Sequence, residues 1–68
     1  MVMRIRILRE ARGMTQGTLG TAMGTAQNVI SQWENEVSLP KARQLPLLAQ
    51  VLGCTIDDLF EPIGEAAG

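Results

Sequence analysis

From Gln16 to Glu34 the chain reads QGTLGTAMGTAQNVISQWE, and the reading of this stretch decides the fold. Leu19 and Met23 are spaced for one helical stripe, and Ile30 and Trp33 for a second. Gly24 falls between them, so the pattern predicts two short helices joined by a tight glycine turn. Gly20 and Gly24 are small where two steeply crossing helices leave no room for a large side chain. Gln27, Asn28 and Gln32 lie on the opposite face of the second helix from Ile30 and Trp33, open to whatever is outside. Packing of the apolar stripes would therefore hold an amide-bearing helix out on the protein surface.

Working outward, the punctuation by glycine and proline predicts helices throughout and no alternating strand. A first helix is expected from about Met3 to Arg12, burying Ile5, Leu8 and Ala11, leaving Ile7 half exposed and ending at Gly13. Thr15 suits the N-cap of the second helix, which should reach about Met23. Gly17 and Gly20 each cost that helix about 1 kcal/mol relative to alanine; Gly20 has a packing reason and Gly17 has none. The third helix is expected from near Ala26 to near Glu34. Pro46 cannot sit inside a helix, so the fourth should start at Gln44 or Leu45 with Pro46 in its opening turn. That leaves a loop from Asn35 to about Arg43 that carries Pro40. Leu45, Leu48, Ala49 and Leu52 form the buried stripe, and Gly53 stops the helix. A fifth helix is signalled by Thr55 with Asp58 as a capping box and by Cys54 packing on Leu59 as a staple; it should end before Pro62. The reading is an all-α, five-helix domain over residues 1–63 with a frayed tail over 64–68.

Sixty-eight residues suffice for one small domain, which buries only about 60% of its unfolded surface, so dimerisation is a natural way to cover what remains. Apolar content of 46% against 19% charged fits a globular chain rather than a disordered one. No apolar run approaches the roughly 20 residues of a membrane helix, and the start MVMRIR is not a signal peptide. The lone Cys54 excludes an internal disulfide, and with no histidine a metal site is not expected; a cytoplasmic location follows. The net charge of −1 hides an asymmetry. Residues 1–33 hold Arg4, Arg6, Arg9 and Arg12 against Glu10, giving +4 − 1 = +3. Residues 34–68 hold Lys41 and Arg43 against Glu34, Glu36, Asp57, Asp58, Glu61 and Glu65, giving +2 − 6 = −4. A basic front and an acidic rear are compatible with DNA binding through one face. No catalytic constellation is present and no cofactor or small-molecule ligand is implied, so no enzyme is expected.

The blocks Ile5-Arg6-Ile7-Leu8-Arg9-Glu10-Ala11-Arg12-Gly13-Met14-Thr15-Gln16, then Leu19, Gly24 and Ile30-Ser31-Gln32-Trp33-Glu34-Asn35, then Leu48 to Phe60, agree in order and spacing with one family. The chain resembles the Cro/repressor (Xre) helix-turn-helix DNA-binding domains from about residue 4 to 60. The resemblance implies the five-helix, lambda-repressor-like fold and binding of double-stranded operator DNA, usually as a two-fold dimer. It implies base reading by Gln27, Asn28 and Gln32, whose amides can pair with adenine N6 and N7. It places DNA-backbone contacts at Thr15, Gln16, Thr25, Asn35, Lys41 and Arg43, and a structural pair at Arg9 and Glu34. Two positions depart from the family. Asn35-Glu36-Val37 stands where many members have Asn-Gly-Lys, so either Asn35 takes the left-handed conformation or Glu36 does at roughly 1–2 kcal/mol. Ala26 replaces the usual Ser or Thr cap of the third helix, with Thr25 as a possible substitute. DNA binding should then be weaker than in basic relatives, or directed partly at another partner.

Trp33 follows Ile30 by one helical turn and is expected in the core, not at a contact. Taken alone, Gln27, Asn28 and Gln32 fit a solvated face equally well; the motif around them favours bases. Arg4, Arg6 and Arg12 are ordinary for an exposed helix. Ile56, Leu59, Phe60 and Ile63 must bury against something, and Ile56, Leu59 and Ile63 are the expected homodimer interface. The function expected is a sequence-specific transcriptional regulator, more specifically a repressor of a palindromic operator. Its rival is a helical protein-interaction module, antitoxin-like or an adaptor, with vestigial DNA binding.

Overall fold

Thr15 opens a helix as a side-chain cap: in extended backbone, its Oγ1 accepts the Thr18 backbone N–H at 3.0 Å, satisfying a donor that every helix start leaves unpaired. The computed structural model describes residues 3–60. Within them lie four α-helices, α1 (Ile5–Ala11), α2 (Gln16–Met23), α3 (Gln27–Glu34) and α4 (Leu45–Leu52), with 3-10 turns at Ala42–Gln44 and Asp57–Leu59. Helix α4 begins at Leu45 with Pro46 in its first turn, where the missing N–H breaks no bond.

The expected fifth helix is absent among the described residues. Thr55 and Asp58 do exchange their two capping bonds, both at 3.2 Å. The segment closes after one 3-10 turn, however, and Phe60 is already extended. The reason is tertiary. The Leu59 carbonyl accepts the Arg4 backbone N–H at 2.6 Å, and Phe60 bridges antiparallel to Met3. A helix running on through Phe60 would give both up. The same pairing holds Met3 out of α1, which is therefore shorter than the expected Met3–Arg12. The frayed tail and the end before Pro62 lie outside the described residues.

Ile5, Leu19, Met23, Ile30, Trp33, Leu48, Ala49, Leu52 and Leu59 form the core, with Leu8, Leu45 and Cys54 half-buried against it. All four helices and the last 3-10 turn contribute. Ala11, expected inside, is exposed. The inward face of α1 runs through Ile5 and Arg9, and two residues beyond Arg9 the helix has turned about 200° outward.

Gly20 is where the turn rests. A Cβ there would sit 2.9 Å from the Thr25 carbonyl oxygen and 3.4 Å from Ala26 C, so only hydrogen lets α2 and the following turn approach. Gly24 is different from expectation: a Cβ would meet nothing within 4 Å, and the residue is needed for its φ of +70°. A Cβ at Gly17 would make only ordinary contacts, 3.7 Å from Gln27 Oε1, in keeping with the absence of a packing reason.

The four helices end alike. In α1, α2 and α4 the residue after a left-handed Gly13, Gly24 or Gly53 donates back to the carbonyl five before it: Met14 to Arg9, Thr25 to Gly20 and Cys54 to Ala49, at 2.8–3.0 Å. In α3 Val37 donates to Gln32 at 2.9 Å, and the left-handed residue is Glu36 (φ 62°). Asn35 is not the one that takes it. A side chain in this conformation costs about 1–2 kcal/mol, partly offset by the chain entropy a glycine loses. Glu36→Gly is expected to raise unfolding free energy by about 1 kcal/mol in urea titrations, and an unchanged midpoint would show that the turn is unstrained.

Candidate nucleic-acid interface

Burial of Ile30 (0% exposed) and Trp33 (3%) sets the rotation of α3. That rotation leaves Gln27, Asn28 and Gln32 exposed together on its outer side. Gln27 reaches back toward the first turn of α2, near Gly17. Gln32 accepts a long hydrogen bond from Ser38 Oγ (3.4 Å) through its Oε1, which leaves its amide N–H donors available. The start of α3 has extended Ala26 at the N-cap and no side-chain cap; Thr25, half-buried in the turn, does not supply one.

The residues expected at a DNA backbone are distributed around α3. Thr15 is exposed, but its Oγ1 already caps α2 and lies 2.9 Å from Thr18 Oγ1. Asn35, at the C-cap of α3, donates to Ser31 Oγ at 3.3 Å. Lys41 and Arg43 are exposed, Lys41 entering and Arg43 within the first 3-10 turn, where the Lys41 backbone N–H donates to Gln44 Oε1 at 2.7 Å. Gln16 is half-buried and donates from Nε2 to Glu34 Oε1 at 3.1 Å.

Glu34 is the electrostatic centre of this region. Its side chain is 0% exposed, and Arg9 meets it twice, Nε to Oε2 at 2.6 Å and Nη2 to Oε1 at 3.2 Å. Arg9 Nη1 also donates to the Met14 carbonyl at 2.8 Å, so one guanidinium ties α1, the α1–α2 connection and α3 together. Burial pushes the Glu34 carboxyl upward, but the hydrogen bonds from Arg9, Gln16 and Arg6 outweigh it and hold the group below its ordinary value. The same bond to Glu34, against desolvation, holds Arg9 above its ordinary value. Sequence reasoning paired Arg9 with Glu34 but missed Arg6, whose Nε lies 3.3 Å from Glu34 Oε1. Its signal was available: Arg6 precedes Arg9 by one helical turn.

The expected dimer residues separate. Leu59 is wholly buried in the domain's own core and offers no surface to a partner. Ile56 is 40% exposed, and Ile63 lies outside the described residues. Among the described residues no helix is long and apolar enough to cross a membrane, and no group of three His, Cys, Asp or Glu is placed to hold a metal ion.

A family model described as helix-turn-helix matches residues 5–59. The fold is similar to that of the P22 c2 repressor crystallised with a synthetic operator, at 34% identity and a TM-score of 0.79, covering 85% of this chain and 88% of that one. It is also similar to the solution structure of the P22 c2 repressor DNA-binding domain, at 36% identity and a TM-score of 0.78, covering 82% and 74%. No curated protein sequence gives a significant match. The fold is thus the lambda-repressor-like one, with four α-helices in the described part rather than five. The chain belongs to the Cro/C1-type (Xre) helix-turn-helix family of DNA-binding domains, which is not a family of enzymes.

Proposed function

We propose that this domain is a sequence-specific transcriptional repressor that binds a palindromic operator as a homodimer. The observation that carries the reading is the rotation of α3: its apolar residues are sealed inside while Gln27, Asn28 and Gln32 share the outer face. Each α3 enters a major groove, with half-sites about 34 Å apart. There the three amides pair with base edges, and Gln and Asn suit adenine, which presents one donor and one acceptor. Thr15, Gln16, Thr25, Asn35, Lys41 and Arg43 contact the flanking backbone. Gln16 uses one N–H on Glu34 and keeps the other for a phosphate. The operator-bound state of the similar P22 c2 repressor supports the reading. Ile56 gives apolar surface to the second copy; Ile63, the other expected contact, lies outside the described residues.

Selection of bound duplexes from a random library tests this, followed by titration of the winning site. Affinity should fall steeply between 50 and 200 mM salt, about 10³-fold if six phosphates are engaged. Gln27→Ala or Gln32→Ala should weaken binding to the selected site by about 1–3 kcal/mol with the fold intact. Equal losses on unrelated duplex would show that neither amide reads bases, and no enrichment of any sequence would overturn the regulator reading.

A further inference from the structure

We infer that Arg6 is a DNA-phosphate contact, held beside Gln16 by the hydrogen bonds both make to Glu34. The assignment rests on the DNA-binding reading above and adds to it a residue from outside the helix-turn-helix. Three donors converge on one carboxylate oxygen. Glu34 Oε1 accepts from Arg6 Nε at 3.3 Å, Gln16 Nε2 at 3.1 Å and Arg9 Nη2 at 3.2 Å. The head groups of Arg6 and Gln16 are therefore neighbours, although they come from different helices.

Their exposures differ in the way an anchored contact needs. The Glu34 side chain is 0% exposed, while that of Arg6 is 55% exposed. A carboxylate out of solvent is a fixed point, and Arg6 binds it with Nε alone. Its two terminal nitrogens, with four N–H donors in one plane, make no hydrogen bond among the described residues. Gln16 retains one N–H beside them. An Arg fork next to an amide donor matches a phosphate's oxygens, which accept several hydrogen bonds at once. Charge agrees as well. Arg9 meets the buried Glu34 at 2.6 Å and reaches the exposed Glu10 at 3.9 Å, so its charge is answered by two carboxylates. Arg6 has only its 3.3 Å share of Glu34 among the described residues, and its side chain, 55% exposed against 10% for Arg9, is the cation of the cluster that solvent and a phosphate can reach.

Arg12, at the opposite end of α1, provides a contrast. Its guanidinium lies over Gly53, where an added Cβ would come within 2.5 Å of Nη1. It is thus directed at the end of α4 and not at the Glu34 cluster.

The test compares salt dependence of binding to the selected operator and to random duplex for the full chain and its variants, with melting temperatures alongside. Arg6→Gln is expected to weaken both duplexes by a similar factor, roughly 5- to 10-fold at 100 mM salt, and to lower the slope of log K against log salt by about 0.9. Arg6→Lys keeps the charge and should keep the slope. Arg12→Gln should leave the slope unchanged. Gln16→Ala combined with Arg6→Gln should lose less than the two single losses together, because both serve one phosphate. A slope unchanged in a folded Arg6→Gln variant overturns the assignment, as does a slope lost in Arg6→Lys or lowered equally by Arg12→Gln. If the unsubstituted chain binds no duplex, the DNA reading itself falls and this assignment with it; normal binding with an unmoved Arg6→Gln slope removes this assignment alone.

Discussion

Trp33→Ala is expected to cost about 3–5 kcal/mol of unfolding free energy. Domains of this size hold roughly 0.05–0.15 kcal/mol per residue, about 3–10 kcal/mol in all, so the loss takes from about a third to the whole of it. Trp33 is 3% exposed and belongs to the single core that Ile5, Leu19, Met23, Ile30, Leu48, Leu52 and Leu59 build from all four helices and the last turn. Gly20 holds the turn between α2 and α3 at backbone contact distance, so the two cannot slide to fill a vacated indole. A cavity that cannot collapse carries the upper part of the cost. Trp33 is the only tryptophan, and its removal takes the fluorescence signal with it, so the transition is followed by far-UV circular dichroism in urea. Trp33→Phe refills part of the space and should lose distinctly less. A cooperative transition of Trp33→Ala at the original midpoint would refute the core role of the residue.

The second large effect concerns charge. Glu34→Gln is expected to cost about 3–5 kcal/mol at pH 7, because it leaves the Arg9 guanidinium, itself only 10% exposed, facing a neutral amide. The pH dependence gives the sharper check. The folded-state value of Glu34 is depressed, so the unfolded chain binds this proton more readily than the folded one. The stabilisation is therefore present above the usual carboxylate range and is lost as pH falls through the folded value. The gap in stability between the parent and Glu34→Gln should be widest at neutral pH and narrow below about pH 4. A gap that stays constant down to pH 2 would mean that the carboxylate contributes shape and not charge. Arg9→Ala should also be strongly destabilising, and with Glu34→Gln it should be less than additive, since the pair is broken only once.

The two effects concern the same helix from opposite sides. Trp33 fixes the rotation of α3 from within, and Glu34, the next residue, fixes its far end to α1 and α2 through Arg9, Arg6 and Gln16. The outward face of Gln27, Asn28 and Gln32 follows from both. In the proposed function these are stability residues whose loss would displace the reading amides without touching a base.

Much of this was legible because local rules carried it. Thr15 caps α2, and Pro46 confines the start of α4 to Gln44 or Leu45, since each rule concerns backbone groups within a few residues. The site face was legible for a similar reason: Ile30 and Trp33 are one turn apart, so the positions opposite them are settled by helical geometry. Ala11 faces outward because Arg9, which a stripe through Ile5 and Leu8 leaves out, is buried by its ion pair and turns the inward face of α1 toward itself. A small residue such as Gly24 in a turn serves either close packing or a left-handed backbone, and the open space around it in the fold shows that the backbone is the reason.

What the amino-acid order determined unaided is where α2 and α4 begin, which glycines stop α1, α2 and α4, and which side chains of α3 are left to face outward. These follow from interactions spanning one or two helical turns. Only the tertiary structure decided the rest. It ended the chain's last helical signal after one turn, because Arg4 and Met3 claim the backbone groups of Leu59 and Phe60. It gathered Arg6, Arg9 and Gln16 on the buried Glu34 carboxylate, and it assigned the strained conformation to Glu36 rather than Asn35. Each of those outcomes weighs partners that packing must first bring together.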